Sequence, residues 1–253
     1  LIQVFNLDIV FLYQFGIKGE KLGELDLPVS SFLDDSNLYI NDKNNDRIIQ
    51  FNLHNRLSKI IAKDKFIEGQ LRRPSGMDID SYGKIYVSDR SNGVIQIFNS
   101  KLEFIQLLDL GGIKLNRPSS VSIVKSFGDC FIAILERETS SKTKLSIFNL
   151  SDDGFVANPF SKYTNFDSLN DSQDMVSGLD NSIFIADTLN RRLVNLDLQG
   201  NFPYIYKAIR LRFARKFSLY LQGNFALYLQ GNFALYLQGN FALYLQCNSA
   251  LYL

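Results

Sequence analysis

The chain has 253 residues, with 27 basic and 26 acidic side chains and a net charge of +1, so its overall charge gives no reason to expect a polyanionic partner. That length can bury a substantial core. Two cysteines and one histidine supply neither a disulfide framework nor the three protein ligands of an ordinary zinc site.

From the N-terminus, residues 1–16 hold two strand signals, the first within Ile2 to Asn6 (IQVFN). Leu38 to Asn52 then reads LYINDKNNDRIIQFN, Lys84 to Asn99 KIYVSDRSNGVIQIFN, and Ile183 to Asp197 IFIADTLNRRLVNLD, with a shorter echo, LSIFN, at Leu145 to Asn149. The closing aromatic falls at Phe5, Phe51, Phe98 and Phe148, and Leu196 takes its place last, in steps of 46, 47, 50 and 48 residues. A period in the forties signals a repeat architecture. Within one phrase, Ile85-Tyr86-Val87 and Val94 to Phe98 are β-branched and aromatic runs on either side of the turn cluster Asp89 to Gly93. A run from Pro74 to Asp80 precedes them and Phe104 to Leu108 follows, which makes four antiparallel strands per unit. No segment sustains an apolar stripe at helical spacing.

Such units are predicted to be propeller blades, each burying its faces against its neighbours. Pro28, Pro74 and Pro118 open successive blades, where a missing amide donor is tolerated. The expected organisation is a half blade at 1–16, whole blades at 27–70, 71–116, 117–172 and 173–206, a linker at 207–217 and a distinct tail at 218–253. The chain begins at Leu1, in mid-blade, and reads either as a fragment or as an offset propeller whose first strands complete the last blade.

The succession of Pro, a GxIYVxD-like strand, NxRIQxFN and a turn resembles the NHL-repeat β-propellers over roughly residues 1–206. It is clearest around Asp42, Asp89 and Asp187, and it departs at Pro118 to Phe160, where Ile134 or Glu136 falls at the aspartate position. The resemblance implies an all-β propeller of the six-bladed type. The absence of Trp argues against the propellers built on Trp-Asp pairs.

From Leu219 the octapeptide LYLQGNFA recurs with no charged residue to the end of the chain, the last copy carrying Cys247 and Ser249. Gly-Asn between six-residue apolar runs predicts two-residue hairpins and an antiparallel meander of about four strands, a surrogate blade. Each run is interrupted well short of the ~20 residues of a membrane helix, so no membrane span is expected.

Chemistry is sparse. Zinc-dependent lyases among NHL-like propellers hold their metal with several histidines, and the single histidine here, His54, sits in a turn. Calcium-dependent lactonase-type propellers aim acids into the channel, for which Asp78, Asp80 and Asp174 are available without distinctive spacing. Nucleophile elbows and phosphate loops are absent. No cofactor, catalytic residue or metal site is therefore assigned. Asp42, Asp89 and Asp187 each open a turn and are expected to accept backbone N–H bonds about two residues on. The turns between second and third strands share a face with the blade-to-blade connections. That face collects Arg47, Arg72, Arg73, Arg90, Arg117, Arg191 and Arg192, together with Lys63, Lys65, Lys114 and Arg137, while the opposite face is acid-rich. The expected function is a non-catalytic scaffold that binds a protein or peptide through those arginines, with Arg47 and Arg192 also suited to pairing with neighbouring acids. The alternatives are a metal-dependent lyase or lactonase and an RNA-binding domain; base-stacking aromatics are not evident in those loops.

Overall fold

The computed structural model describes residues 2–5, 11–33, 36–61, 69–126, 128–139, 141–160, 169–172, 174–178, 182–196 and 198, and the strand backbone at 204–207, 226–230, 242–246 and 250–252. Among these the fold is almost entirely β, and its one helical element is a 3-10 turn at Lys43–Asn45. Four antiparallel four-stranded sheets are arranged as propeller blades. Blade 1 holds β3 (Pro28–Leu33), β4 (Asn37–Asp42), β5 (Arg47–Asn52) and β6 (Ser58–Ile61); blade 2 holds β7 (Pro74–Ile79), β8 (Ile85–Asp89), β9 (Val94–Phe98) and β10 (Phe104–Leu107). Blade 3 holds β11 (Pro118–Ser126), β12 (Asp129–Arg137), β13 (Thr143–Leu150) and β14 (Ala157–Pro159); blade 4 holds β15 (Asp174–Ser177), β16 (Ile183–Asp187), β17 (Arg192–Leu196) and β18 (Tyr204–Lys207). At the N-terminus β1 (Ile2–Phe5) and β2 (Phe11–Phe15) form the half blade.

The core is a series of seams between successive blades, as period-two alternation requires of a strand buried on both faces. In β8, Ile85 and Val87 pack toward Tyr39 and Ile48 of blade 1, while Tyr86 between them packs toward Val121 and Ile132 of blade 3. In β12, Phe131, Ala133 and Leu135 meet Met175 and Ile185 of blade 4, and Ile132 and Ile134 face back to blade 2. Ile2 and Phe15 of the half blade join Leu38, Ile40 and Phe51 of blade 1. At the channel, inner strands approach closely: a Cβ on Gly76 would lie 2.5 Å from the Cα of Ser120. They are stitched by polar bonds, with Ser75 Oγ donating to Pro118 O (2.9 Å), Ile123 N to Asp78 Oδ2 (2.7 Å) and Ser120 Oγ to Asp174 Oδ1 (2.7 Å).

Two expectations are corrected at the ends of the chain. The last blade carries its own fourth strand, β18, so the first strands do not complete it. Instead β1 pairs with β21 (Ala250–Tyr252) from the tail, in parallel. Of the predicted antiparallel meander the described residues include two runs, and these pair with each other in parallel and in register instead: β19 (Ala226–Gln230) and β20 (Ala242–Gln246). They stand two octapeptides apart, and only parallel register sets each residue opposite its own copy, Leu227 against Leu243 and Tyr228 against Tyr244. The Gly-Asn turns and Cys247 lie outside the described residues.

Candidate functional site

The face carrying the second turns is built on one repeated carboxylate clamp. Asp42, Asp89 and Asp187 end the second strands of blades 1, 2 and 4 and are fully buried. Each accepts an N–H from the connection that precedes its own blade: Asp26 N to Asp42 (2.6 Å), Arg72 N to Asp89 (3.2 Å) and Asn170 N to Asp187 (2.7 Å). Each also accepts the side-chain amide three residues on, from Asn45, Asn92 or Asn190. To the local turn bonds, which at Asp89 include one from Asn92 N (3.2 Å), is therefore added a longer-range tie, because the carboxylate is enclosed by the connection folded over its turn. In blade 3, Glu136 takes the aspartate's part, accepting from Asn116 N (2.7 Å); its extra methylene reaches across a longer turn.

The clamp holds strained backbone. The residue after each tied N–H has positive φ: Leu27 (59°), Arg73 (55°), Arg117 (50°) and Asp171 (50°). A left-handed conformation at a non-glycine residue costs about 1–2 kcal/mol, and for Arg73 and Arg117 it immediately precedes a proline that disfavours the ordinary helical region. These equivalent positions of four blades set their side chains at a fixed place on one face.

The expected arginines divide into two groups. Arg47 is enclosed, with side-chain exposure of 0%, and cannot meet a partner. It pairs with Asp42 at 2.8 Å and donates to the carbonyls of Glu20, Lys21 and Glu24. Arg192 makes the equivalent pair with Asp187 at 2.6 Å. Blade 2 has Val94 at that register and uses Gln96 Nε2 as donor to Asp89 instead (2.8 Å), and burial pushes the Asp89 carboxyl above its ordinary range. Arg72, Arg73, Arg117 and Arg191 are exposed, and Arg90 is half-buried. Lys63 and Lys65 lie outside the described residues.

Arg73, Arg90 and Arg117 form one electropositive cluster with Arg137, which was not among the seven. Burial, and then the charges of Arg137, Arg117 and Arg73, push the Arg90 guanidinium down to about 10. Arg137 is paired with Asp171 of blade 4. Its sequence signal was register: it follows Glu136 as Arg90 follows Asp89.

Elsewhere, Asp78 and Asp174 line a channel cavity of about 110 Å³ with Ser30, Ser177 and Met175. Burial raises the Asp78 carboxyl to about 6 against bonds from Ile123 N, Ile79 N and Ser122 Oγ. Asp80 is not in that cavity. It caps the first turn of blade 2 through Tyr82 N and Lys84 N and accepts from Tyr86 Oη. With Cys130 it borders a 340 Å³ pocket on the opposite face, and burial raises the Cys130 thiol. His54 is exposed in a turn capped by Asn52. Among the described residues no three His, Cys, Asp or Glu side chains come together as metal ligands, and no helix is long and apolar enough to cross a membrane.

No family model and no curated protein matches the chain. Among solved structures it is similar to a streptogramin B lyase (13% identity, TM-score 0.52, covering 82% of this chain and 76% of that one). It is also similar to a protein assigned as a 6-phosphogluconolactonase from Bacteroides uniformis (12% identity, TM-score 0.54, 77% of this chain and 60% of that one). Against virginiamycin B lyase from Staphylococcus aureus the identity is 13% and the TM-score 0.47, and the chain spans 62% of that protein's length. At such identities the likeness extends to the fold alone, and the fold is a β-propeller.

Proposed function

We propose that the chain is part of an NHL-type, six-bladed propeller that acts as a non-catalytic scaffold. It binds a protein or peptide through the face of second turns and blade connections, as the substrate-recognition part of a larger protein such as a ubiquitin ligase. The observation that supports this reading is the arginine cluster of blades 2 and 3, raised on loops whose backbone the buried carboxylates hold rigid. Loops on a rigid scaffold are where binding residues concentrate. Arg72, Arg73, Arg90, Arg117 and Arg191 are the contacts proposed, while Arg47 and Arg192 serve the clamp.

Selection from a random peptide-display library on the immobilised chain tests this. Enriched peptides are expected to lose binding on Arg72→Glu/Arg73→Glu and to keep it on Lys101→Glu, a charge change in the turn after β9 on the opposite face. No enrichment, or binding that follows Lys101, removes the reading. A stoichiometric, tightly held divalent ion with turnover of a lactone or peptide replaces it with the lyase or lactonase alternative.

A further inference from the structure

We infer that Arg73, Arg90 and Arg117 form a preorganised subsite for a single oxyanion group carried on the peptide ligand, a carboxylate or a phosphorylated side chain. This rests on the scaffold reading and specifies what its face recognises.

The frame is fixed by backbone contacts among three loops. The second turn of blade 2 is tied to the connection before β7 by Ser91 N donating to Arg72 O (3.1 Å). On its other side it abuts the connection before β11, where a Cβ on Gly93 would lie 2.9 Å from Leu115 O. The second turn of blade 3 is tied to that same connection by Arg137 N donating to Asn116 O (2.9 Å). Arg73, Arg90 and Arg117 therefore stand on loops locked to one another, two of them at left-handed positions that fix the direction of Cα–Cβ.

Charge selects the ligand. Among the described residues none of the three guanidiniums has an ion-pair partner. The Asp46 carboxylate is engaged by Arg73 N at 2.7 Å, and Asp171 is engaged by Arg137. Arginines grouped on fixed loops, Arg90 half-buried and Arg73 and Arg117 exposed beside it, bind an oxyanion bidentately and with little reorganisation. Burial first, and then the charges of the neighbouring arginines, disfavour the Arg90 cation, and an entering anion offsets the charge contribution. Acids beside the cluster confine the positive surface to one spot. A nucleic acid strand draws instead on a run of phosphate contacts along a groove.

Three fluorescein-labelled peptides of one Gly/Ser sequence, carrying one Glu, one phosphoserine or neither, separate the sources by anisotropy on the intact chain. At least one anionic peptide is expected to bind saturably, with inorganic phosphate competing and the neutral peptide silent. Affinity should fall about tenfold in Arg90→Gln, the scale of losing one charge-assisted hydrogen-bonding partner. Arg73→Gln/Arg117→Gln should lose more, Arg90→Lys less, and Lys101→Gln nothing. Urea midpoints equal to wild type keep folding out of the comparison. Equal losses in Arg90→Gln and Lys101→Gln overturn the subsite in favour of diffuse charge. So does poly(U) binding that depends on Arg90 while both anionic peptides fail. If display-selected peptides bind this face but carry no acid, the subsite falls and the scaffold reading stands.

Discussion

Replacing Arg47 with Met should unfold the chain far more readily than replacing Arg192 with Met, although the two hold the same place in their repeats. The Arg47 guanidinium contacts the Asp42 carboxylate and three backbone carbonyls, and neither side chain of the pair reaches solvent. Removing one member of such a pair leaves a buried charge and unsatisfied carbonyls, which costs about 3–5 kcal/mol. The Arg192 side chain is 19% exposed, so water can replace part of what it gives Asp187, and the cost should be nearer 1–2 kcal/mol. Urea titration followed by circular dichroism measures both, with the midpoint read at constant slope. A cycle with Asp42→Ala should give a coupling of at least about 2 kcal/mol, as expected for residues in one network. An Arg47→Met penalty under about 1 kcal/mol, or one equal to that of Arg192→Met, refutes the argument that enclosure turned this arginine into structure. The Arg90→Gln variant of the subsite test should by contrast leave the urea midpoint in place.

Gly76→Ala should destabilise by about 1–3 kcal/mol, because the new methyl meets Ser120 backbone across the blade seam, and thermal melting will show it. Asp78 supplies a pH dependence. Its carboxyl titrates at about 6 when folded, above the ordinary aspartate value of 3.8, so the folded state holds the proton more tightly and stability falls as pH rises from about 4 to 6. Asp78→Asn should flatten that part of the profile, by about 3 kcal/mol at most; a profile unchanged from wild type rejects the assignment. Truncation before Ser218 removes β21 from the edge of β1, so amide exchange at Gln3 to Phe5 should quicken while β8 and β12 keep their protection. Unaltered exchange at β1 would count against that pairing.

Much of the architecture was written in short-range pattern. The period of the closing aromatic, the Pro that opens three blades and the turn residues after Asp42, Asp89 and Asp187 depend on neighbours in sequence, and they specified four strands per blade. The unbroken apolar run Ile85-Tyr86-Val87 serves two seams from one strand, which the folded chain shows. What sequence could not reach is the pairing of distant carbonyls, carboxylates and cations. Repeat register set Arg47 apart from Arg90 as a partner for its turn aspartate, but was silent on enclosure: Arg47 is buried among the carbonyls of residues 20–24, and Arg90 is left beside other arginines. Glu136 could be placed by register, but only the connection before β11, folded over it, gave it the aspartate's role. In the tail, identical octapeptides fit hairpins and parallel stacking equally well, because local turn propensity is silent about which distant copy a strand will choose. Sequence thus determined the blade, a unit of local hydrogen bonding and alternation. The tertiary structure decided which charges are sealed inside it and which stay exposed, because burial depends on how neighbouring blades close over each loop.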